Sequence, residues 1–209
     1  MNFDLWLTFV AASTALLLIP GPTVLLVLSY ALSKGRSVAV ASAAGVATGD
    51  FIAMTASLAG LGALVLASAT LFTLLKWLGA AYLVWLGIKL LRSAPSDGLA
   101  AERIRADVTP RGVFGHAAAV TALNPKSIAF FIAFVPQFLD PAAPLVPQFA
   151  VLIATFVGLA ALNALAFALL ADRLRRMISR PGVITWITRA GGGALIAMGV
   201  MTASLRRAA

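Results

Sequence analysis

The chain has 209 residues, 61% of them hydrophobic and only 11% charged, with a formal net charge of +9 and no cysteine. A soluble domain carries about a quarter charged residues, so this composition excludes a water-covered fold and points to an integral membrane protein. The missing cysteines exclude disulfides, thiol chemistry and cysteine metal sites. The basic excess falls in short clusters between apolar runs, which is a signature of membrane orientation rather than of nucleic-acid binding.

The elements follow from the N-terminus. The opening MNFDLWLTFV has no basic leader segment, and the apolar run is too long for a signal peptide, so it reads as a retained first span at about 5–31. Residues 5–33 hold no charge, yet Pro20, Gly21 and Pro22 interrupt them. A basic turn, Lys34-Gly35-Arg36, follows. Residues 38–91 contain no proline and exceed the roughly 20 residues of one span, so a turn near 68–70 divides them into spans two and three. Residues 92–111 form the one soluble-looking loop, with Pro95, Asp97, Gly98, Glu102 and Asp107. The fourth span covers about 112–139 and holds Asn124-Pro125-Lys126. A proline-bracketed turn at Asp140 to Pro144 leads to the fifth, about 145–171. Arginines 173, 175, 176 and 180 precede the sixth, about 183–205.

Eleven of the 16 Lys and Arg residues lie in or beside the turns after spans one, three and five. The positive-inside rule places these turns in the cytoplasm and both termini outside. The expected fold is therefore all-α, with six transmembrane helices in one domain. Repeat one covers about 1–92, the cytoplasmic loop about 93–111 and repeat two about 112–209. Three spans per half make the halves inverted repeats, and the first helix of each, helix 1 and helix 4, is interrupted by a proline motif. Interruptions at corresponding places in two halves are a sequence pointer to a transporter binding site.

The interruptions have chemical consequences. Proline lacks an N–H and clashes with the carbonyl four residues back. Pro20 thus frees the carbonyl of Leu16, Pro22 that of Leu18 and Pro125 that of Thr121. In lipid, each unsatisfied polar group costs several kcal/mol, so such backbone faces protein or a watery cavity. The half-helices that start beyond the breaks offer N–H groups, from Thr23 to Leu25 and from Lys126 to Ile128, that suit a carboxylate. Gly21 lets a ligand approach the backbone, and Asn124 before Pro125 reads as a helix cap. The plainer alternative is a pair of ordinary kinks satisfied by neighbouring helices.

One acidic residue lies deep. Asp50 falls half-way along span two in GVATGD, where a carboxylate costs at least about 2.5 kcal/mol and is a functional candidate by default. Gly45 and Gly49 have the small-xxx-small spacing of close helix packing, which brings Asp50 near a neighbour. Lys126 is similarly deep; its alternatives are pairing with Asp50 or snorkelling. Asn163 is either a helix–helix hydrogen bond or a site residue. His116, the single histidine, is expected to be structural, with a proton relay as its alternative. Trp6, Trp77, Trp85 and Trp186 fall mostly near span ends, as an aromatic belt does.

The segments IPGP, SKGRS, GVATGD and ALNPKSIAFFIAFVPQF, in six spans with a central basic loop, resemble the LysE/RhtB family of bacterial amino-acid exporters, the LysE-type translocators. The resemblance implies proton-driven export of an amino acid or related small metabolite. It also implies roles for Pro20, Gly21, Pro22, Asp50, Asn124, Pro125 and Lys126, and names no particular substrate. The expected substrate-binding set adds Thr23 and Asn163, with Asp50 coupling proton movement. Partners are a small-molecule amino acid, protons and membrane lipid, without nucleic acid, and exposed Gly and Ala faces permit a homodimer. No cofactor, metal cluster or nucleophile–base arrangement is evident, so an enzyme is not expected. Export of a divalent metal or another small solute and a non-transporting scaffold stay as alternatives. A metal site would want several His, Cys, Asp or Glu ligands.

Overall fold

The computed structural model describes residues 3–19, 21–34, 36–92, 109–140, 143–171 and 181–204. Pro20, Gly35, most of the central loop (93–108), the start of the proline-bracketed turn (141–142), the basic turn at 172–180 and the C-terminal residues 205–209, with Arg206 and Arg207, lie outside them. Every element among the described residues is helical. In chain order they are α1 (Phe3–Leu18), α2 (Pro22–Lys34), α3 (Arg36–Ala67), α4 (Ala69–Arg92), α5 (Pro110–Ala122), α6 (Pro125–Ala133), a 3₁₀ turn (Val135–Phe138), α7 (Leu145–Leu169) and α8 (Pro181–Ser204).

Three segments, Val38–Ala63, Thr73–Arg92 and Leu145–Leu169, are each long and apolar enough to cross a membrane. Two further candidates are bent pairs: Phe3–Leu18 with Pro22–Leu32 at 59°, and Pro110–Ala122 with Pro125–Phe138 at 46°. The chain therefore carries three to five candidate spans among the described residues. The turn expected near residues 68–70 falls at Ser68, whose hydroxyl accepts from the Leu71 N–H at 3.3 Å and so caps the start of α4.

Each bend has a local cause. Pro22 opens α2, and having no N–H it cannot continue the ladder of α1. Asn124 is extended, with φ −70° and ψ 110°, as a residue before proline must be. Its side chain accepts from the Lys126 N–H at 3.0 Å, which restarts the chain as α6.

Glycines set how closely the helices approach. A Cβ at Gly45 would strike the Phe114 carbonyl oxygen, and one at Gly49 would lie 2.5 Å from that of Ala118. α3 and α5 therefore touch backbone to backbone at the spacing that GxxxG allows. Gly87 meets Gly192 in the same way, and Gly199 meets Ala80, which joins α4 to α8.

The buried side chains divide along the bundle. One cluster contains Phe9, Leu16, Met54, Leu58, Phe130, Phe131, Phe134, Phe138 and Phe156. A second is smaller in its side chains, with Val27, Tyr30, Val38, Ala43, Val46, Val113, Ala117 and Ala164, and a small third joins Val24, Leu28 and Ala171. On α3, Val46 belongs to one cluster and Ala53 to the other, and Asp50 lies between them. On α7, Ala160 and Ala164 divide in the same way. A polar layer thus separates an aromatic core from an aliphatic one.

Candidate functional site

The polar layer surrounds a cavity of about 30 Å³. Its lining includes Leu16 and Leu17 at the end of α1, Thr23 at the start of α2, Asp50 on α3, Asn124, Lys126 and Ser127 at the second break, and Asn163 on α7. Val24, Val27, Val46, Ala160, Ala164 and Phe167 complete the wall. A water needs at least about 10–15 Å³ of such space, so the cavity has room for one or two waters and none for an amino acid. Asp50, Asn124 and Ser127 are buried in its wall, whereas Thr23, Lys126 and Asn163 are half-buried.

The first break is satisfied from across the bundle. The Lys126 Nζ donates to the Leu16 carbonyl at 3.0 Å and to the Ile19 carbonyl at 3.1 Å. The Asn163 Nδ2 donates to the Leu17 carbonyl at 3.2 Å. A helix leaves its last carbonyls without intrahelical partners, and here two side chains more than 100 residues away take two of them and that of Ile19 just beyond, while the Ile19 N–H also donates to the Leu16 carbonyl at 3.3 Å. Gly21 leaves the Lys126 ammonium against bare backbone, since even a Cβ there would sit 3.5 Å from Nζ.

The second break is satisfied mainly by its own residues. The Leu123 N–H donates to Ala119, and the Asn124 N–H donates to the carbonyl that Pro125 frees, that of Thr121, at 3.1 Å. Asn124 caps Lys126, and its carbonyl accepts from the Ile128 N–H at 3.0 Å. The amide also reaches over: Asn124 Nδ2 donates to the Thr23 hydroxyl at 3.2 Å, and the Thr121 hydroxyl donates to the same oxygen at 3.5 Å. Thr23 is the stitch between the two breaks.

Asp50 is 2% exposed, and its Oδ1 has no hydrogen-bond partner. A carboxylate normally accepts several bonds when buried, so this oxygen is an open valence facing the polar layer. The Lys126 ammonium is held by carbonyls, which answers the alternative of direct pairing: the lysine's bonds go to the broken helix end.

Of the residues singled out in the sequence, Thr23, Asp50, Asn124, Lys126 and Asn163 line one cavity, and Gly21 adjoins it. Pro22 and Pro125 are exposed and act by placing the breaks. Pro20 lies outside the described residues. Three N–H groups expected to be open for a carboxylate are already bonded: Leu25 to the Gly21 carbonyl, and Lys126 and Ile128 to Asn124. His116 is exposed, with Nδ1 2.8 Å from the Tyr30 hydroxyl, and is not among the lining residues. Sequence reading missed Ser127, 5% exposed on the cavity wall, although it directly follows the NPK motif. It also missed the Leu17 carbonyl, for which no sequence signal exists.

Apolar helices around a small polar cavity, lined by a carboxylate oxygen without a partner and by one lysine, define a membrane protein with a site at its core. The chain belongs to the LysE type translocator family, whose model matches residues 14–205. It is 35% identical, over the full length of both chains, to the homoserine/homoserine lactone efflux protein of Salmonella typhimurium. It is 34% identical over 99% of its length to an uncharacterized membrane protein of Vibrio cholerae, covering all of that protein. Over 66% of its length it is 36% identical to the leucine efflux protein of Salmonella choleraesuis, covering 64% of that protein. No solved structure matches the chain.

Proposed function

We propose that this protein is a secondary transporter that exports a small amino acid or a related metabolite across the bacterial inner membrane in exchange for protons. The observation that carries this reading is the small polar cavity in which the buried Asp50 Oδ1 has no partner while Lys126 occupies the broken end of α1. Relatives named as homoserine and leucine efflux proteins support the direction of transport and the substrate class.

In this reading the chain forms six spans in one domain, with the α1–α2 and α5–α6 pairs as interrupted helices of two inverted repeats. The packing supports it, since α3 lies on α7 and α4 on α8, each helix on its counterpart. An in-plane two-fold axis would produce that pairing. The basic turns face the cytoplasm and both termini face outward. Exposed glycines at 60 and 158 leave open faces that suit a homodimer.

The chemistry uses the layer's few charges. Asp50 takes the substrate's ammonium group, and Lys126, drawn off its carbonyls, takes the carboxylate. Thr23, Asn124 and Asn163 supply neutral hydrogen bonds. A proton on Asp50 removes the charge that holds the ammonium, so proton entry and substrate exit share one group. Because the cavity is too small for substrate, the aromatic and aliphatic clusters act as the two closures, and one must part for each half-cycle.

Everted vesicles under an imposed proton gradient, offered a panel of radiolabelled amino acids, test the reading. Gradient-dependent accumulation of at least one small amino acid is expected. Accumulation identical in vesicles lacking the protein would refute it.

A further inference from the structure

The geometry points to a monovalent-cation site at the end of α1 that the protein fills with its own lysine. The site consists of the Leu16 and Ile19 carbonyl oxygens, and the Lys126 ammonium is its tethered occupant.

Three observations converge. First, both carbonyls belong to the last turn of α1 and the residue beyond it, where the helix dipole concentrates partial negative charge. They meet at one point, 3.0 and 3.1 Å from Nζ. Unwound carbonyls and half-helix C-termini are the groups with which membrane transporters bind alkali cations. Second, the occupant comes from elsewhere: Lys126 sits in the first turn of α6 and crosses to a helix end 110 residues earlier in the chain. Third, a carboxylate that is 2% exposed, with Oδ1 unpartnered, lines the same cavity. A cation in a low-dielectric interior needs such a countercharge, and Asp50 supplies it without spending its own hydrogen bonds on the lysine.

A lysine that simply capped a helix would, when truncated, leave carbonyls that relax or take up water. A lysine that fills a cation site leaves behind, when truncated, a cradle that a free cation of the right size occupies. The wild-type protein, carrying its cation covalently, then needs neither sodium nor any other small cation to hold the break together. This goes beyond the export reading, and its test reads binding rather than transport, so its failure leaves that reading standing.

The test compares thermal unfolding of purified wild type, Lys126→Ala and Lys126→Met in detergent, titrated with methylammonium or sodium chloride against choline chloride at equal ionic strength. Methylammonium reproduces the end of the lysine, and methionine fills the stem's volume without a charge. Lys126→Ala is expected to melt lower than wild type and to rise by several degrees, saturably, with at least one of the two small cations, as a ligand bound only to the native state requires. Wild type and Lys126→Met are expected to stay flat, and adding Asp50→Asn to Lys126→Ala is expected to abolish the rise. Should Lys126→Ala be recoverable only when purified in methylammonium or sodium, that dependence is the same result. The proposal is overturned if Lys126→Ala ignores both cations, if Lys126→Met responds equally, or if Lys126→Ala cannot be recovered in either salt while Lys126→Met is recovered.

Discussion

The two helix breaks solve one physical problem in opposite ways. At the second, Asn124 caps the new helix and its own backbone takes the carbonyl that Pro125 frees, so most of the bonding stays within five residues. At the first, the carbonyls of Leu16, Leu17 and Ile19 are held by Lys126 and Asn163, from two other helices. A break that closes on itself is rigid wherever its neighbours go. One that depends on distant side chains is held only while those helices stay in place. The first break is therefore the element of the polar layer suited to move, and the second is its fixed reference.

Substitutions can break this contrast, beginning with the largest expected effect. Lys126→Met strips the Ile19 carbonyl of its lysine and leaves the Leu16 carbonyl with the 3.3 Å bond from the Ile19 N–H; a buried unsatisfied group costs about 1–3 kcal/mol, and the loss of the buried charge's own bonds adds to it. A loss of about 2–5 kcal/mol is expected in denaturant unfolding of the purified protein, together with loss of transport. Asn163→Leu removes one bond, to the Leu17 carbonyl, and should cost about 1–3 kcal/mol by the same measurement. Asn124→Ala removes an N-cap, typically worth about 1 kcal/mol. Asn124→Ser keeps a capping oxygen without adding a charge and should recover most of that stability. Smallest is the stitch: a double-mutant cycle of Thr23→Val and Asn124→Ala should show a coupling of about 0.5–1 kcal/mol. If the second break proved as sensitive as the first to substitutions outside its own residues, the contrast between a fixed and a movable break would fail.

Much of the frame was legible in the sequence, because backbone rules are local. A proline cannot donate, so the ends of α1 and α5 follow from Pro20, Pro22 and Pro125. Asn before Pro reads as a cap, and Gly45 with Gly49 announces a close approach, which α5 supplies. Other features were not legible, because they depend on which of several acceptors a long side chain finds in three dimensions. Lys126 had a carboxylate and carbonyls within reach of reasoning, and only packing decides for the carbonyls of Leu16 and Ile19. Thr23 joining Asn124 is equally a product of the crossing. So is Gln148, whose buried amide holds Asp140, Ala143 and Pro144 at the turn before α7. The expected open N–H groups failed for a simple reason. A capped helix start spends its first donors on the cap, and Asn124 does so at Lys126 and Ile128.

The central claim is that Asp50, buried in the polar layer with an unpartnered oxygen, couples proton entry to substrate exit. The most direct measurement is uptake of a labelled amino acid substrate into proteoliposomes under an imposed pH gradient, comparing wild type with Asp50→Asn at matched incorporation and matched melting temperature. The expected result is accumulation driven by the gradient in wild type and none above background in Asp50→Asn. Undiminished gradient-driven accumulation by Asp50→Asn would contradict it.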